Sequence, residues 1–267
     1  MSSVKTLAEN PNLTCIPPAY TFPSNSPDYR AILSTKDGEG SEEPIPVIDF
    51  SFLISGTPDQ RSKVVQELGY ACREWGFFMV INHAVDEDLM KRMLEGCRGF
   101  FNLTDEEKSM YNGKHVLDPI RCGSGFNASV DELYFWRDHL KVIVHPDFHS
   151  PNKPTGFRNV LEEYTKAVQG VVRGLLEGIF ESLGLQSCHI DRALNIESSL
   201  QVLVANLYPP CPQPELAMGL PSHSDHGLLT MLIENEIGGL QVQHKGRWAN
   251  VKAIPGHSWL THAIKWR

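Results

Sequence analysis

The chain opens without a usable period: Pro17-Pro18, Pro23 and Pro27 break residues 1–43, which predicts a surface-hugging or mobile arm rather than a packed element. From Pro44 the pattern becomes legible. Ile45-Pro46-Val47-Ile48-Asp49-Phe50 alternates like a short strand whose prolines confine it to an edge or a strand start. Thr57 and Pro58 then offer a cap and a first helical position. Val64, Val65, Leu68, Ala71, Cys72 and Trp75 follow at three- and four-residue spacing until Gly76. Phe77-Phe78-Met79-Val80-Ile81 is a continuous apolar run too short for a helix and reads as a buried strand. Asp86 caps a second helix through Phe100, and Thr104-Asp105-Glu106-Glu107 carries the capping-box pattern of a short third one.

The glycine-bearing stretch 111–130 reads as loop. Residues 133–144 then alternate, with Trp136, Leu140, Val142 and Val144 on one side and Arg137, His139 and Lys141 on the other, as in a strand with one buried face. The strongest helical stripe runs from about 157 to 183 and ends at Gly184, long enough to brace a sheet. Beyond it the texture turns to strands at 201–208, 228–233, 239–243 and 247–251, with turns at Gly238-Gly239 and Lys245-Gly246. Helices followed by strands predict an α+β chain with a helix-supported β-sandwich or jelly roll, not an alternating parallel sheet.

Composition narrows the function classes. The 267 residues are 41% apolar and 21% charged, enough to bury one large domain or two small ones. A formal charge of −8 with no basic run argues against a nucleic-acid partner. No apolar stretch reaches membrane-span length and the first residues lack a signal-peptide core, so the expected compartment is cytosolic and no membrane partner is expected. Six cysteines without a C-x-x-C pair fit neither a zinc ribbon nor a disulfide framework and read as mostly buried small apolar residues.

The segment with chemistry in it is Pro221-Ser222-His223-Ser224-Asp225-His226-Gly227. On an extended strand, positions i and i+2 share a face, so His223 and Asp225 would offer an imidazole nitrogen and a carboxylate oxygen to one borderline metal ion. The plain alternative is a surface turn with ordinary polar residues. Upstream, Asn206 and Tyr208 also share a face and could hold a second small ligand, or Tyr208 could simply close a strand before Pro209-Pro210.

Taken together and in order, these motifs resemble the plant iron(II)- and 2-oxoglutarate-dependent dioxygenases, which include flavonoid, gibberellin and alkaloid oxygenases. The likeness rests on residues 44–50, on Trp75-Gly76-Phe77-Phe78-Met79-Val80-Ile81-Asn82-His83, and on Phe100-Phe101-Asn102-Leu103. It continues through Asn206-Leu207-Tyr208-Pro209-Pro210-Cys211-Pro212, His223-Ser224-Asp225-His226-Gly227 and Gly238-Gly239-Leu240-Gln241-Val242, so that it spans roughly 44–255.

The resemblance implies a double-stranded β-helix holding Fe(II) through His223 and Asp225, with Asn206 and Tyr208 near the carboxylates of 2-oxoglutarate. O₂ would be the oxidant, ascorbate a supporting reductant, and a small organic molecule the substrate. His139 and Lys141 would face that substrate, or else form a solvated strand face. His226 is not expected to ligate. The divisions that follow are an arm at 1–43, an N-terminal dioxygenase domain at 44–150, bracing helices at 151–198 and the oxygenase barrel at 199–267.

The same resemblance calls for a distal histidine and an Arg-x-Ser carboxylate clamp beyond Asp225, and the remaining residues contain neither pattern. The expectation is therefore an incomplete barrel that binds Fe(II) weakly at best. The tail histidines His257 and His262 are poor replacements for the third ligand, and Arg267 is a poorer one for the clamp. A non-catalytic remnant of the family stays open beside the active oxygenase, while a cupin-like enzyme using another metal would share the jelly roll but not the 75–83 motif.

Overall fold

In a computed structural model, the structure describes residues 3–22, 43–113, 115, 117–126, 134–186, 194–225, 227–251 and 259–263, by backbone alone at 125–126 and 259–263. These fall into two compact units, each assembled from three separate stretches: 1–33, 93–162 and 200–223 in one, and 34–92, 163–199 and 224–267 in the other.

The first unit is built on an antiparallel sheet of β3 (Ile120–Phe126), β4 (Tyr134–His145) and β5 (Gln201–Leu207), in that order. The alternation of β4 holds as read: Trp136, Leu140, Val142 and Val144 are buried. β3 corrects the reading of 111–130 as loop. Its glycines hid a strand whose ladder slips at Ser124/Gly125 and which runs beside β4 with the His139 ring over Gly123.

The described part of the arm is packed rather than mobile. Helix α1 (Val4–Ala8) buries Val4 completely, and Tyr20 meets Trp136 edge-on with ring centroids 5.2 Å apart. What anchors it is Asp138, a buried acid on the otherwise apolar face of β4, which accepts from the Val4 and Lys5 amides at 2.9 and 2.8 Å and from Ser124 Oγ at 2.7 Å. The Trp136 indole donates to the Pro209 carbonyl at 3.0 Å and fixes the exit from β5.

In the second unit, β1 (Val47–Asp49) lies at the sheet edge, parallel to β2 (Phe77–Ile81), as its flanking prolines required. The sheet continues antiparallel through β9 (Trp259–Ala263) to β6 (Leu229–Leu232). A hairpin of β7 (Gln241–His244) and β8 (Arg247–Asn250) turns at Lys245-Gly246, both with positive φ. Val242 and Val251 close over Met79 as a small apolar cluster.

Helix α2 (Phe50–Ser55) starts on Asp49, whose carboxylate accepts from the Ser51 amide at 3.0 Å. Helix α3 (Pro58–Tyr70) starts on a reciprocal capping box between Thr57 and Gln60. One π turn, Ala71–Trp75, and a left-handed Gly76 then deliver the chain into β2. The Trp75 ring stacks on buried His244 with centroids 3.7 Å apart.

Helix α4 (Glu87–Phe101) and α5 (Asp105–Ser109) lie where their caps placed them, the latter with its Thr104–Glu107 capping box complete. The long helix α6 (Phe157–Ser182) packs through glycines, with Gly174 against Phe50 and Gly178 against Leu53 and Leu68, so its close partners there are helices rather than a sheet. Among the described cysteines, burial pushes the Cys72 and Cys97 thiols up to about 12, which makes them inert.

Candidate active site

The ladder of the first unit brings together residues read separately in the sequence. His139 on β4 pairs with Asn206 on β5 and, on its other side, with Gly123 on β3. Lys141 pairs with Val204 and with Arg121. Because side chains two apart share a face, Arg137, His139, Lys141, Arg121 and Asn206 all stand on the polar side of this sheet. Asp138 stands on the other.

Arg137 organises the β5 end of that face. Its Nη1 donates to Asn206 Oδ1 at 3.2 Å, and its positive charge acts on the Tyr208 phenol. Tyr208 lies just past β5 with its ring half-exposed and one flank against Gly219, where a Cβ would stand 2.8 Å from the ring edge. Burial raises the phenol's pKa, and Arg137 only partly offsets it, so the hydroxyl keeps its proton.

Beside Asn206, His139 is pushed down to about 4, first by burial and then by the charges of Arg137 and Arg121, so it is a neutral imidazole at pH 7. The His139 Nδ1 and Arg137 Nε atoms are both buried and without a hydrogen-bond partner.

The same unit ends at His223, which is exposed. Its Nδ1 lies 3.0 Å from the Pro221 carbonyl oxygen. Donating there selects the tautomer whose Nε2 carries the lone pair a metal needs, the arrangement by which a backbone carbonyl orients a ligating imidazole. Asp225 stands two residues further along the chain, half-buried.

The expectation that His223 and Asp225 share the face of a strand needs correction, because 222–225 is irregular and β6 begins only at Leu229. Ser222-His223-Ser224-Asp225 is polar at every position, so neither side of the segment has apolar surface to bury as a strand.

An imidazole and a carboxylate are donors suited to Fe(II), and to that extent the residues fit. Among the described residues, no group of three His, Cys, Asp or Glu is arranged to hold a metal. His226, His257 and Arg267 lie outside the described residues, and His262 is placed only by its backbone, on β9 opposite Phe77 and Thr230.

Comparison with known proteins decides the family. Residues 45–163 match the family model described as the N-terminal region of the non-haem dioxygenases in morphine synthesis, and residues 199–263 match the 2OG-Fe(II) oxygenase superfamily. The chain is 44% identical over 238 residues to 2-oxoglutarate-dependent dioxygenase 19 of Oryza sativa subsp. japonica, covering 88% of this chain and 71% of that protein.

The chain belongs to the 2-oxoglutarate- and Fe(II)-dependent oxygenases.

Its relatives include flavanone 3-dioxygenase 2 of the same rice, 36% identical over 81% of this chain and 62% of its own length. Among solved structures, JOX2 in complex with 2OG, Fe and JA superposes with a TM-score of 0.81 at 29% identity, over 98% of this chain and 73% of that one. Such neighbours share a jelly-roll core, so the chain's fold is of that class, and the family's cofactor and co-substrates are Fe(II), 2-oxoglutarate and O₂.

Reading the sequence for ligands missed Arg137. It stands two residues before His139 on the same alternating face, which was the available signal, but its reach to Asn206 depends on the β4–β5 register.

Proposed function

We propose that this chain oxidises a small organic molecule, taking Fe(II) on His223 and Asp225 and 2-oxoglutarate beside Asn206 and Tyr208. The observation that carries the reading is the ladder: His139 pairs with Asn206, and Arg137 donates to Asn206 Oδ1, so residues assigned to the co-substrate and to the organic substrate share one polar face.

When bound, iron and 2-oxoglutarate supply oxidative decarboxylation of the keto acid, coupled to substrate oxidation, with succinate and CO₂ as products. The chain's own residues do the holding. Pro221 orients the His223 ring. The protonated Tyr208 hydroxyl can donate to a carboxylate, and Arg137 keeps Asn206 in place. His139, neutral, and Lys141, cationic, line the face where the organic substrate would approach.

The neighbour solved with JA supports a plant hormone-like or specialised-metabolite substrate, and a cytosolic compartment without nucleic-acid or membrane partners belongs to the same reading. No helix among the described residues is long and apolar enough to cross a membrane.

A second reading is a member of the family that keeps the fold without the chemistry. Its ground is the irregular backbone at 222–225, which gives His223 and Asp225 no shared strand face. Anaerobic titration of the purified chain with Fe(II) and 2-oxoglutarate separates the two. The oxygenase reading expects the visible charge-transfer band of an iron-chelated keto acid, appearing only at high Fe(II) if two protein ligands are all it has, and lost in His223→Ala. A folded chain that gives no band at any Fe(II) concentration establishes the second reading.

A further inference from the structure

Arg137 stands on the polar face of β4 and donates to Asn206 Oδ1 at 3.2 Å. We propose that Arg137 anchors the carboxylate of a small organic anion at the β4–β5 junction, sharing it with the Tyr208 hydroxyl. This rests on the oxygenase reading and deepens it by naming the chemistry its polar face recognises.

The guanidinium has five N–H donors in a fixed planar fork and no acceptor. Asn206 Oδ1 takes one, while Nε, buried, has no hydrogen-bond partner among the described residues. A donor shut away from water and left unmade is costly, and a two-oxygen acceptor is what such a fork binds best. Immediately beside it, His139 Nδ1 is also buried without a partner.

The charge around the fork has one sign. On the polar side of the sheet the paired positions Arg121, Gly123, His139, Lys141, Ile143, Val202, Val204 and Asn206, with Arg137 beside them, include no acid. Asp138, the carboxylate nearest in sequence, is spent on the opposite face, on the Val4 and Lys5 amides and Ser124. Burial and these same cations keep His139 uncharged. The face therefore selects an anion, and the planar fork together with a phenol donor selects a carboxylate among anions.

That carboxylate could belong to the keto acid or to the organic substrate, and binding experiments on the metal-free chain distinguish them. The probes are 2-oxoglutarate, 3-phenylpropionate, the uncharged 3-phenylpropionamide and inorganic phosphate, each titrated by calorimetry. We expect at least one carboxylate to bind at least tenfold more tightly than the amide and phosphate. Arg137→Met should weaken that carboxylate at least tenfold while leaving the amide unchanged, and Arg137→Lys should recover part of the loss.

Tyr208→Phe, which removes one hydroxyl and keeps the ring on Gly219, should weaken it several-fold. That variant carries the test should Arg137→Met fail to fold by circular dichroism. Arg137-dependent binding confined to 2-oxoglutarate makes the anchor a keto-acid site. Binding of phenylpropionate makes it a reader of the organic substrate.

The anchor is overturned if no carboxylate binds, if acid and amide bind alike, if phosphate binds as tightly, or if folded Arg137→Met binds as the parent does. Arg137-dependent binding without the charge-transfer band would leave the anchor standing and sink the oxygenase reading. A band together with folded Arg137→Met binding both carboxylates as the parent does would do the reverse.

Discussion

His139 enters the folded state as a neutral imidazole with its pKa pushed down to about 4 from the ordinary 6.5, burial being the larger cause and the neighbouring Arg137 and Arg121 charges the next. Between those two values the unfolded chain binds a proton that the folded chain refuses, so stability rises with pH across that window and is lost on acidification from 6.5 toward 4. The side chain is not fully shut off from water, which holds the effect to about 2 kcal/mol or less. His139→Asn should flatten the acid limb of the stability curve between pH 6.5 and 4 without shifting it near pH 8. Urea midpoints at several pH values would show it, and parallel curves for the two proteins would refute the burial of this ring. The alternation along β4 already put Arg137, His139 and Lys141 on one side in the sequence. Asp138 broke the pattern, because its partners, Val4 and Lys5, are more than 130 residues away and no local signal links an acid on an apolar stripe to a helix near the N-terminus.

Elements whose signals are local were legible: the capping boxes at Thr57 and Thr104, the positive-φ Gly76 and Gly184, and the Lys245-Gly246 turn each lie where side-chain chemistry put them. β3 was not, because Gly123 and Gly125 lower strand propensity and only its β4 partner makes it a strand. Helical glycines invite a sharper test. Gly96 in α4 faces the fully buried Phe157 ring so closely that a Cβ would stand 2.5 Å from Cδ2, whereas at exposed Gly170 in α6 nothing lies within 4 Å. Alanine gains about 1 kcal/mol over glycine in a helix interior, and overpacking a core costs about 1–3 kcal/mol. Gly170→Ala should therefore raise the melting temperature by a few degrees and Gly96→Ala should lower it. Stabilisation by both would mean that Phe157 can yield its place, and that α4 does not pack on it as tightly as these distances require.

At the scale of the whole molecule, the motifs were read from the sequence as consecutive blocks, with the oxygenase barrel at 199–267, while the structure assembles each unit from three separated stretches. Hydrophobic periodicity identifies strands but says nothing of which strands pair. Here β5 owes its entire ladder to β4, and β9 sits between β2 and β6. A fragment comprising 199–267 would keep only the β6–β9 pair and the β7–β8 hairpin, and two-stranded pairs are marginal in water without further strands or a helix to cover them. It would also lose Trp136 from beneath Pro209 and Arg137 from beside Asn206 and Tyr208, so the residues assigned to the co-substrate would have no rigid support. The fragment should therefore give a poorly dispersed amide NMR spectrum and no cooperative thermal transition, in contrast to the 267-residue chain. A well-dispersed spectrum from 199–267 alone would show that the barrel segment is autonomous and that the β4–β5 and β2–β9 ladders are not what holds it.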